Sequence, residues 1–567
     1  MSTAIHDAVI VGGGHNGLAA AAYLARAGRS VVVLERLAHA GGAAVSERPW
    51  AGVDARLSRY SYLVSLLPHR IIDELGLRIS LRRRRFSSYT PDPSDPRRGI
   101  LVDTADAAAT ASSFLHATGD GAEAGRFTAF YERLGPIART IFPTMTEPLP
   151  QARALRARLG DDALWSALVE QPLGELLRSS LQTDLARGIA LTDGLIGTFS
   201  HSDDETLRQN RCFLYHVIGG GTGDWDVPVG GMGAVTGELA RAAREAGAEL
   251  VTGAEVLGVS GEGHLRYRLD GVEHTITAAT VLANVAPAVL ERLLAAGASA
   301  PITHTGGAPG EGEAPGIAPR DQPPFSRDES LAVPAVVRER LRRLAVPEGA
   351  QVKVNLLLTR LPRLRDGEVS PEAAFAGTFH INELETQLER AFATAARGEI
   401  PSPLPCEIYC HTLSDPSILA PELAASGMHT LTVFGLHAPD RLVERFGNDA
   451  LRDRLQAAVI ESLNSVLAEP IEDVIATDAS GRPCIETKTT HDLEEALRMP
   501  GGNIFHGPLS WPWAERDAPL TTPAQRWGVA TQHERILLCG SGAVRGGAVS
   551  GIGGHNAAMA VLEASGA

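Results

Sequence analysis

Asp7-Ala-Val-Ile-Val-Gly12-Gly-Gly14-His15-Asn16-Gly17-Leu-Ala, followed shortly by Val31-Val-Val-Leu-Glu35-Arg36, is the stretch whose reading decides the fold. An apolar run breaks into closely spaced glycines, an alanine-rich segment follows, and a second apolar run ends on an acid. The pattern predicts strand, tight turn, helix, strand. In the spacing Gly12-x-Gly14-x-x-Gly17 each glycine has its own physical role. Gly12 lets the chain turn sharply, Gly14 lets backbone approach a pyrophosphate, and Gly17 lets helix and strand pack closely. The helix that opens there presents unpaired N–H groups and the positive end of its dipole to an anion. Glu35 stands where a carboxylate accepts the hydroxyls of an adenosine ribose, and an acid there repels a 2′-phosphate, which disfavours NADP. His15 and Asn16, inside the turn, are placed beside the cofactor.

Length and composition bound the rest. The 567 residues exceed what a single hydrophobic core usually serves, so two domains are expected. A hydrophobic content of 44% with 21% charged residues is that of a folded globular chain. The net charge of −15 argues against a nucleic-acid partner and allows at most peripheral membrane contact. The five cysteines show neither a C-x-x-C pair nor zinc spacing, so reduced thiols and no metal site are expected. The first apolar run lacks a basic leader and is cut by glycines, and no apolar run approaches bilayer length, so a soluble cytoplasmic protein is expected. Nothing in the composition decides the oligomeric state; a homodimer is compatible with it.

A second glycine turn, Gly41-Gly42-Ala43, follows the ribose acid and is placed along the same cofactor. A loop and a helix stopped at Gly76 come next. Arg82-Arg83-Arg84-Arg85 reads as an ion-pairing edge, with a clamp for an anionic substrate as the other reading. Residues 102 to 200 carry helical spacing and predict a helical cap. Gly231, Gly233 and Gly237 imitate a second fingerprint, but no adequate strand precedes them, and they are assigned to another helix of the first domain. Residues 297 to 330 are low-complexity and predict a mobile surface insertion. Val352 to Leu358, Glu407 to His411 and His429 to Leu436 predict a second sheet, and a long helix from about Asp449 to Ala468 returns the chain to the first domain.

The C-terminal part repeats strand, glycines and helix: Arg535-Ile-Leu-Leu-Cys-Gly540-Ser-Gly542, then Gly546-Gly-Ala-Val-Ser-Gly551-Ile and onward. A unit of this kind at the far end of the chain is what a discontinuous dinucleotide domain requires. With the Glu35-Arg36 and Gly41-Gly42 segments, Gly230-Gly-Met-Gly233, Ala283-Asn-Val-Ala-Pro287 and Pro500-Gly-Gly-Asn-Ile-Phe-His506, the chain resembles the phytoene-dehydrogenase-related FAD-dependent oxidoreductases, within the branch of pyridine nucleotide-disulphide oxidoreductase domain-containing protein 2. The resemblance runs from about residue 5 to the C-terminus and is loose in the helical cap. It implies an α/β fold, with a discontinuous, glutathione-reductase-like Rossmann FAD-binding domain (1–80, 225–290 and 470–567) and an α+β substrate or cap domain (81–224 and 291–469).

The same resemblance implies non-covalent FAD. Gly12, Gly14, Gly17, Glu35 and Arg36 would hold the adenosine diphosphate half, Gly41, Gly42 and Ala43 would lie near the ribityl and flavin, and Gly542, Val549 and Gly551 near the isoalloxazine. The implied reaction is hydride transfer from a sizeable apolar or polyunsaturated small molecule to flavin N5. His216 and His506, each beside shared glycines, are the candidates to face the flavin, while Asp203 and Asp204 read as a solvated loop. Two other readings stay open: an amine or amino-acid oxidase, for which Lys353 and Lys488 are the lysines available near N5, and a non-catalytic flavoprotein acting through a protein partner. A disulphide reductase is disfavoured because no redox cysteine pair follows the fingerprint.

Overall fold

A computed structural model describes residues 5–297, 333–345 and 348–566. The opening stretch forms β1 (Ile5–Val11), α1 (His15–Arg26) and β2 (Val31–Glu35), with every residue of β2 buried. Further on, α2 (Met232–Glu245) leads into β3 (Glu249–Thr252), which pairs in parallel with β2. The long strand β4 (Val272–Ala283) is used twice. Its first half pairs antiparallel with His264–Leu269, and its second half pairs in parallel with β1. Near the C-terminus β5 (Ile536–Leu538) joins β4 in parallel, and α3 (Ile552–Ala564) closes the chain. The parallel strands lie in the order β5–β4–β1–β2–β3 within a seven-stranded sheet. Parallel strands joined by crossover helices are covered on both faces, which is why β1 and β2 read as unbroken apolar runs rather than alternating ones.

The helix layer is tight where α1 meets α3. Leu18 to Ala22 of α1 are fully buried. A Cβ added to Gly554 would stand 1.8 Å from the carbonyl oxygen of Asn16 and 2.9 Å from the nitrogen of Ala20, so the two helices touch backbone to backbone. The glycines expected to lead into the closing helix therefore divide. Gly551 caps it in the left-handed conformation at φ 70°, whereas Gly553 and Gly554 lie inside it and set the helix–helix distance.

The second sheet also has seven strands, in the order Ile485–Lys488, Gln351–Leu358, His429–Leu436, Cys406–Tyr409, Thr378–Ile381, Phe86–Asp92 and Asp95–Asp103. Its second strand in that order, Gln351–Leu358, is buried at every position, and the long helix Asn448–Val466 packs against it. The hairpin Phe86–Asp103 is not readable from periodicity, because Pro91, Pro93 and Pro96 break the pattern; it sits at the sheet edge, where proline is tolerated. The stretch 470–567 does not return to the first sheet at once: Ile485–Lys488 is a strand of the second, and Ile536–Leu538 of the first. Helices from Ala107–Thr118 to Arg208–Ile218 occupy the region that carries helical spacing. The low-complexity stretch 297–330 lies outside the described residues beyond Gly297. No helix among the described residues is long and apolar enough to cross a membrane.

Candidate functional site

The end of β1, the glycine turn and the first turn of α1 open into a cavity of about 510 Å³. Gly12, Gly14, His15, Glu35, Arg36, Gly42 and Ala43 all line it. Gly12 adopts φ 99°, which a side chain would resist, and the turn leaves the first N–H groups of α1 without intrahelical partners. Glu35 is 8% exposed, and its carboxylate accepts the N–H of Gly13 at 2.7 Å and that of Leu37 at 2.8 Å. Those two bonds aim the carboxylate while leaving lone pairs for further donors. Arg36 lines the cavity and donates to the carbonyl of Ala496.

Other residues expected at the cofactor serve the site from behind. Gly17 is not among the cavity's lining residues: its Cβ would fall 2.3 Å from the carbonyl oxygen of Gly12 and 2.7 Å from Nδ2 of Asn284. Asn284, unremarked in the sequence beyond its segment, lines the cavity and donates Nδ2 to that same Gly12 carbonyl at 2.9 Å. Asn16 is buried beneath the turn, with Nδ2 toward the carbonyl of Gly546. Gly41, at φ 135°, faces Val45 and Thr236. Gly542 and Gly551 also stand outside the lining: Gly542 abuts the Pro287 ring, where a Cβ would come within 2.6 Å, and Gly551 faces Ala19 and Ile71. From the same C-terminal loop Ser541, Gly547, Ala548 and Val549 do reach the cavity. The loop is held there by the buried Arg545, which donates to the carbonyls of Thr144 and Glu147, and by His15, whose Nε2 lies 3.0 Å from the carbonyl oxygen of Ala548.

His216 and His506 both line the cavity. His216 stacks on Trp225 with ring centroids 4.9 Å apart, and its Nδ1 is 3.2 Å from the carbonyl oxygen of Cys212. His506 adopts φ 64°, and its Nδ1 has no partner among the described residues. Burial lowers both imidazoles to about 4, with the nearby His15 adding to the effect at His506. Both are therefore neutral at neutral pH. Lys353 donates Nζ to the carbonyl of Ser58 at 2.8 Å and lies over the Phe434 ring; Phe434 lines the cavity and Lys353 does not. Lys488 sits 3.9 Å from Glu486 on the same sheet edge. Asp203 pairs with Arg178, and Asp204 accepts from Ser200 and Thr206, as suits a loop.

The second sheet and the helical layer supply the other walls. Tyr62, Tyr409, Phe434, Trp225 and Tyr215 provide aromatic surface, with Tyr62 and Tyr409 packed at 4.3 Å between centroids. Arg84, Asp193 and Glu407 add charge-bearing groups. Sequence reasoning placed Arg84 in an ion-pairing edge, with a clamp for an anionic substrate as the other reading, gave Asp193 no role and gave Glu407 only a strand. Arg83 and Arg85 do pair outward, with Asp224 and Asp103 respectively, but Arg84 turns inward. Burial pushes the Asp193 carboxyl up to about 7, against the opposing pull of Arg84 and of Tyr131. It pushes Glu407 well above the carboxylate range, with Asp193 adding to the shift. Burial also raises the Cys212 thiol to about 12, so it lines the cavity as a thiol and not as a nucleophilic thiolate. All five cysteines are buried and unpaired, and no group of His, Cys, Asp and Glu among the described residues has metal-holding geometry.

Comparison with known proteins agrees with this geometry. The NAD(P)-binding Rossmann-like domain family matches residues 10–69. The Mycobacterium tuberculosis protein named Uncharacterized protein Rv0897c is 52% identical over 567 residues, covering 98% of this chain and 97% of its own. The Mus musculus pyridine nucleotide-disulfide oxidoreductase domain-containing protein 2 is 28% identical over 601 residues, covering 98% and 93%. Two solved structures share the fold at low identity. Putrescine oxidase bound to putrescine has 16% identity, coverage of 100% and 99%, and a TM-score of 0.54. Cyclohexylamine oxidase from Brevibacterium oxydans has 13% identity, full coverage of both chains, and a TM-score of 0.54. With half its residues shared along nearly its whole length, the chain belongs to the family of the mycobacterial protein, and over the same extent it is similar to the mouse pyridine nucleotide-disulfide oxidoreductase domain-containing protein 2.

Proposed function

We propose that the protein binds FAD non-covalently and oxidises a sizeable, largely apolar small molecule, as a dehydrogenase or desaturase of the phytoene-desaturase-like group. The observation that carries this reading is one continuous cavity. It is lined at the fingerprint by Gly12, Gly14, His15 and Glu35, and elsewhere by aromatic side chains from the second sheet. The residues present fit the cofactor: backbone N–H groups at the start of α1 for a pyrophosphate, and a fixed carboxylate at Glu35 for a ribose. When bound, flavin supplies the acceptor for a hydride.

The chain's own residues do the rest. Tyr62, Tyr409, Phe434 and Trp225 offer faces on which an apolar substrate packs, displacing water from around it. His506 and His216, neutral at neutral pH, accept a proton or a hydrogen bond and do not donate the charge of an imidazolium. His506 is the better placed to do so, since its Nδ1 is free of protein partners among the described residues. The test is the cofactor content of purified protein. The expected result is a yellow protein that releases about one FAD per chain on acid or heat denaturation, with nothing left attached to the polypeptide. A colourless protein that takes up no FAD when it is added overturns the reading.

A further inference from the structure

We infer that the substrate carries a carboxylate, or an anionic head of the same shape, and that Arg84 binds it inside the cavity. This deepens the flavin oxidoreductase reading above and rests on it for the identity of the bound molecule as substrate. Within the tetrad, Arg82 donates to the carbonyl of Ser414, Arg83 pairs with Asp224 at 2.7 Å, and Arg85 pairs with Asp103 at 2.7 Å. Arg84 alone of the four lines the cavity. It forms no ion pair among the described residues. Its donors to protein are two long bonds, Nε to the carbonyl of Trp225 at 3.4 Å and Nη1 to Oγ1 of Thr378 at 3.2 Å. A guanidinium has five N–H donors in a planar fork, and a fork turned toward a cavity matches the paired oxygens of a carboxylate or a similar oxyanion.

The surroundings agree in chemistry with that ligand. The Arg84 guanidinium lies 5.8 Å from the centre of the Tyr409 ring, which with Tyr62 forms an apolar wall for the body of the molecule. Glu407 is 3% exposed, accepts the hydroxyl of Tyr409 at one oxygen and leaves Oε2 with no partner among the described residues. Burial keeps Glu407 and Asp193 toward their protonated forms, in which each offers an O–H and does not neutralise Arg84. A carboxylate arriving from solution then meets one cation and the acid proton of Glu407, with Asp193 titrating near neutral pH. An ammonium group would meet the guanidinium and be repelled.

The test is calorimetric binding of three soluble probes that share one apolar body: 4-phenylbutyrate, 4-phenylbutan-1-ol and 4-phenylbutylamine. The wild-type protein is expected to bind the carboxylate about tenfold or more tightly than the alcohol and the amine. Arg84→Met is expected to erase that preference, Arg84→Lys to retain part of it, and Arg85→Met, on the outward side, to leave it intact. If Arg84→Met fails to fold, the Arg84→Lys variant decides, because its charge is kept while the planar fork is lost. A carboxylate that binds no better than the alcohol, an amine that binds tightest, or an Arg84→Met protein with wild-type preference overturns the proposal. Flavin content is read separately by absorbance: carboxylate preference in a protein without flavin would sink the oxidoreductase reading and leave the anion site standing, and the reverse result would do the opposite.

Discussion

Two glycine-to-alanine substitutions at look-alike positions are expected to act with opposite sign. Gly17 is the third glycine of the fingerprint; Gly237 is the last glycine of the imitation at Gly231-x-Gly233-x-x-x-Gly237. Both stand in helices, α1 and α2. A Cβ on Gly17 would lie 2.3 Å from the Gly12 carbonyl oxygen, and ordinary contact begins at 3.4 Å, so α1 and the end of β1 must part by about 1 Å. Overpacking of this kind costs about 1–3 kcal/mol, and weakening the Asn284 bond to Gly12 adds about 1 kcal/mol. The better helix propensity of alanine offsets about 1 kcal/mol of that. Gly237 has nothing within 4 Å of its would-be Cβ, so only the propensity gain applies there, and stability should rise by about 1 kcal/mol. The movement at Gly17 also displaces the N–H groups at the start of α1 that would face the pyrophosphate of the proposed FAD, each worth about 1.5–3 kcal/mol to a charged acceptor, so cofactor affinity should drop about tenfold or more. Urea-unfolding midpoints and flavin bound per folded chain measure both effects. An unchanged midpoint and flavin content for Gly17→Ala, or a destabilised Gly237→Ala, would refute the packing account.

Gly554→Ala should be more damaging than Gly553→Ala, since the added Cβ meets the Asn16 carbonyl at 1.8 Å in the first case and the Cys539 carbonyl at 2.8 Å in the second; thermal melts that rank them the other way would contradict the α1–α3 contact. Asp193 has a folded-state pKa of about 7 against an ordinary 3.8, so the native state holds its proton more tightly than the unfolded chain. Its contribution to stability is present below about pH 4 and is lost as pH rises to about 7, by at most about 1.4 kcal/mol per pH unit. Asp193→Asn should flatten that slope in urea titrations across the window, and identical slopes in the two proteins would show that the carboxyl is not perturbed. Glu35→Gln leaves one acceptor for the two N–H groups that the carboxylate now serves, so the cofactor-free protein itself should lose about 1–3 kcal/mol. Unchanged stability of that apoprotein would mean the two bonds are not made.

The first β–α–β unit was legible because everything in it is local. Strand, turn, helix and acid lie within residues 7 to 36, so the unit itself follows from local pattern, although Gly12, Gly14 and Gly17 also pack against the distant Asn284. The helical run after residue 102 and the strands of the second sheet were legible by their periodicity, while the Phe86–Asp103 hairpin was hidden by prolines that only an edge position tolerates. The C-terminal glycines illustrate the limit of local reading. Gly542, Gly551, Gly553 and Gly554 look alike on paper, yet none of them lines the cavity, and what each does is set by Pro287, Ile71, Cys539 and Asn16, hundreds of residues distant in several cases.

By itself the sequence determined a glycine turn between strand and helix with an acid at the end of the next strand, and a chain long enough to build a second sheet, because these depend on spacing and residue type. Only the tertiary structure decided which groups share the cavity with that turn. Arg84 is chemically the same as its three neighbours in the chain, and Asp193 and Glu407 are more than two hundred positions apart. What distinguishes them is which side of the second sheet and helical layer they face, and hence the desolvation and the neighbours they meet there. Burial and charge proximity are properties of the packed chain, and no window of sequence carries them.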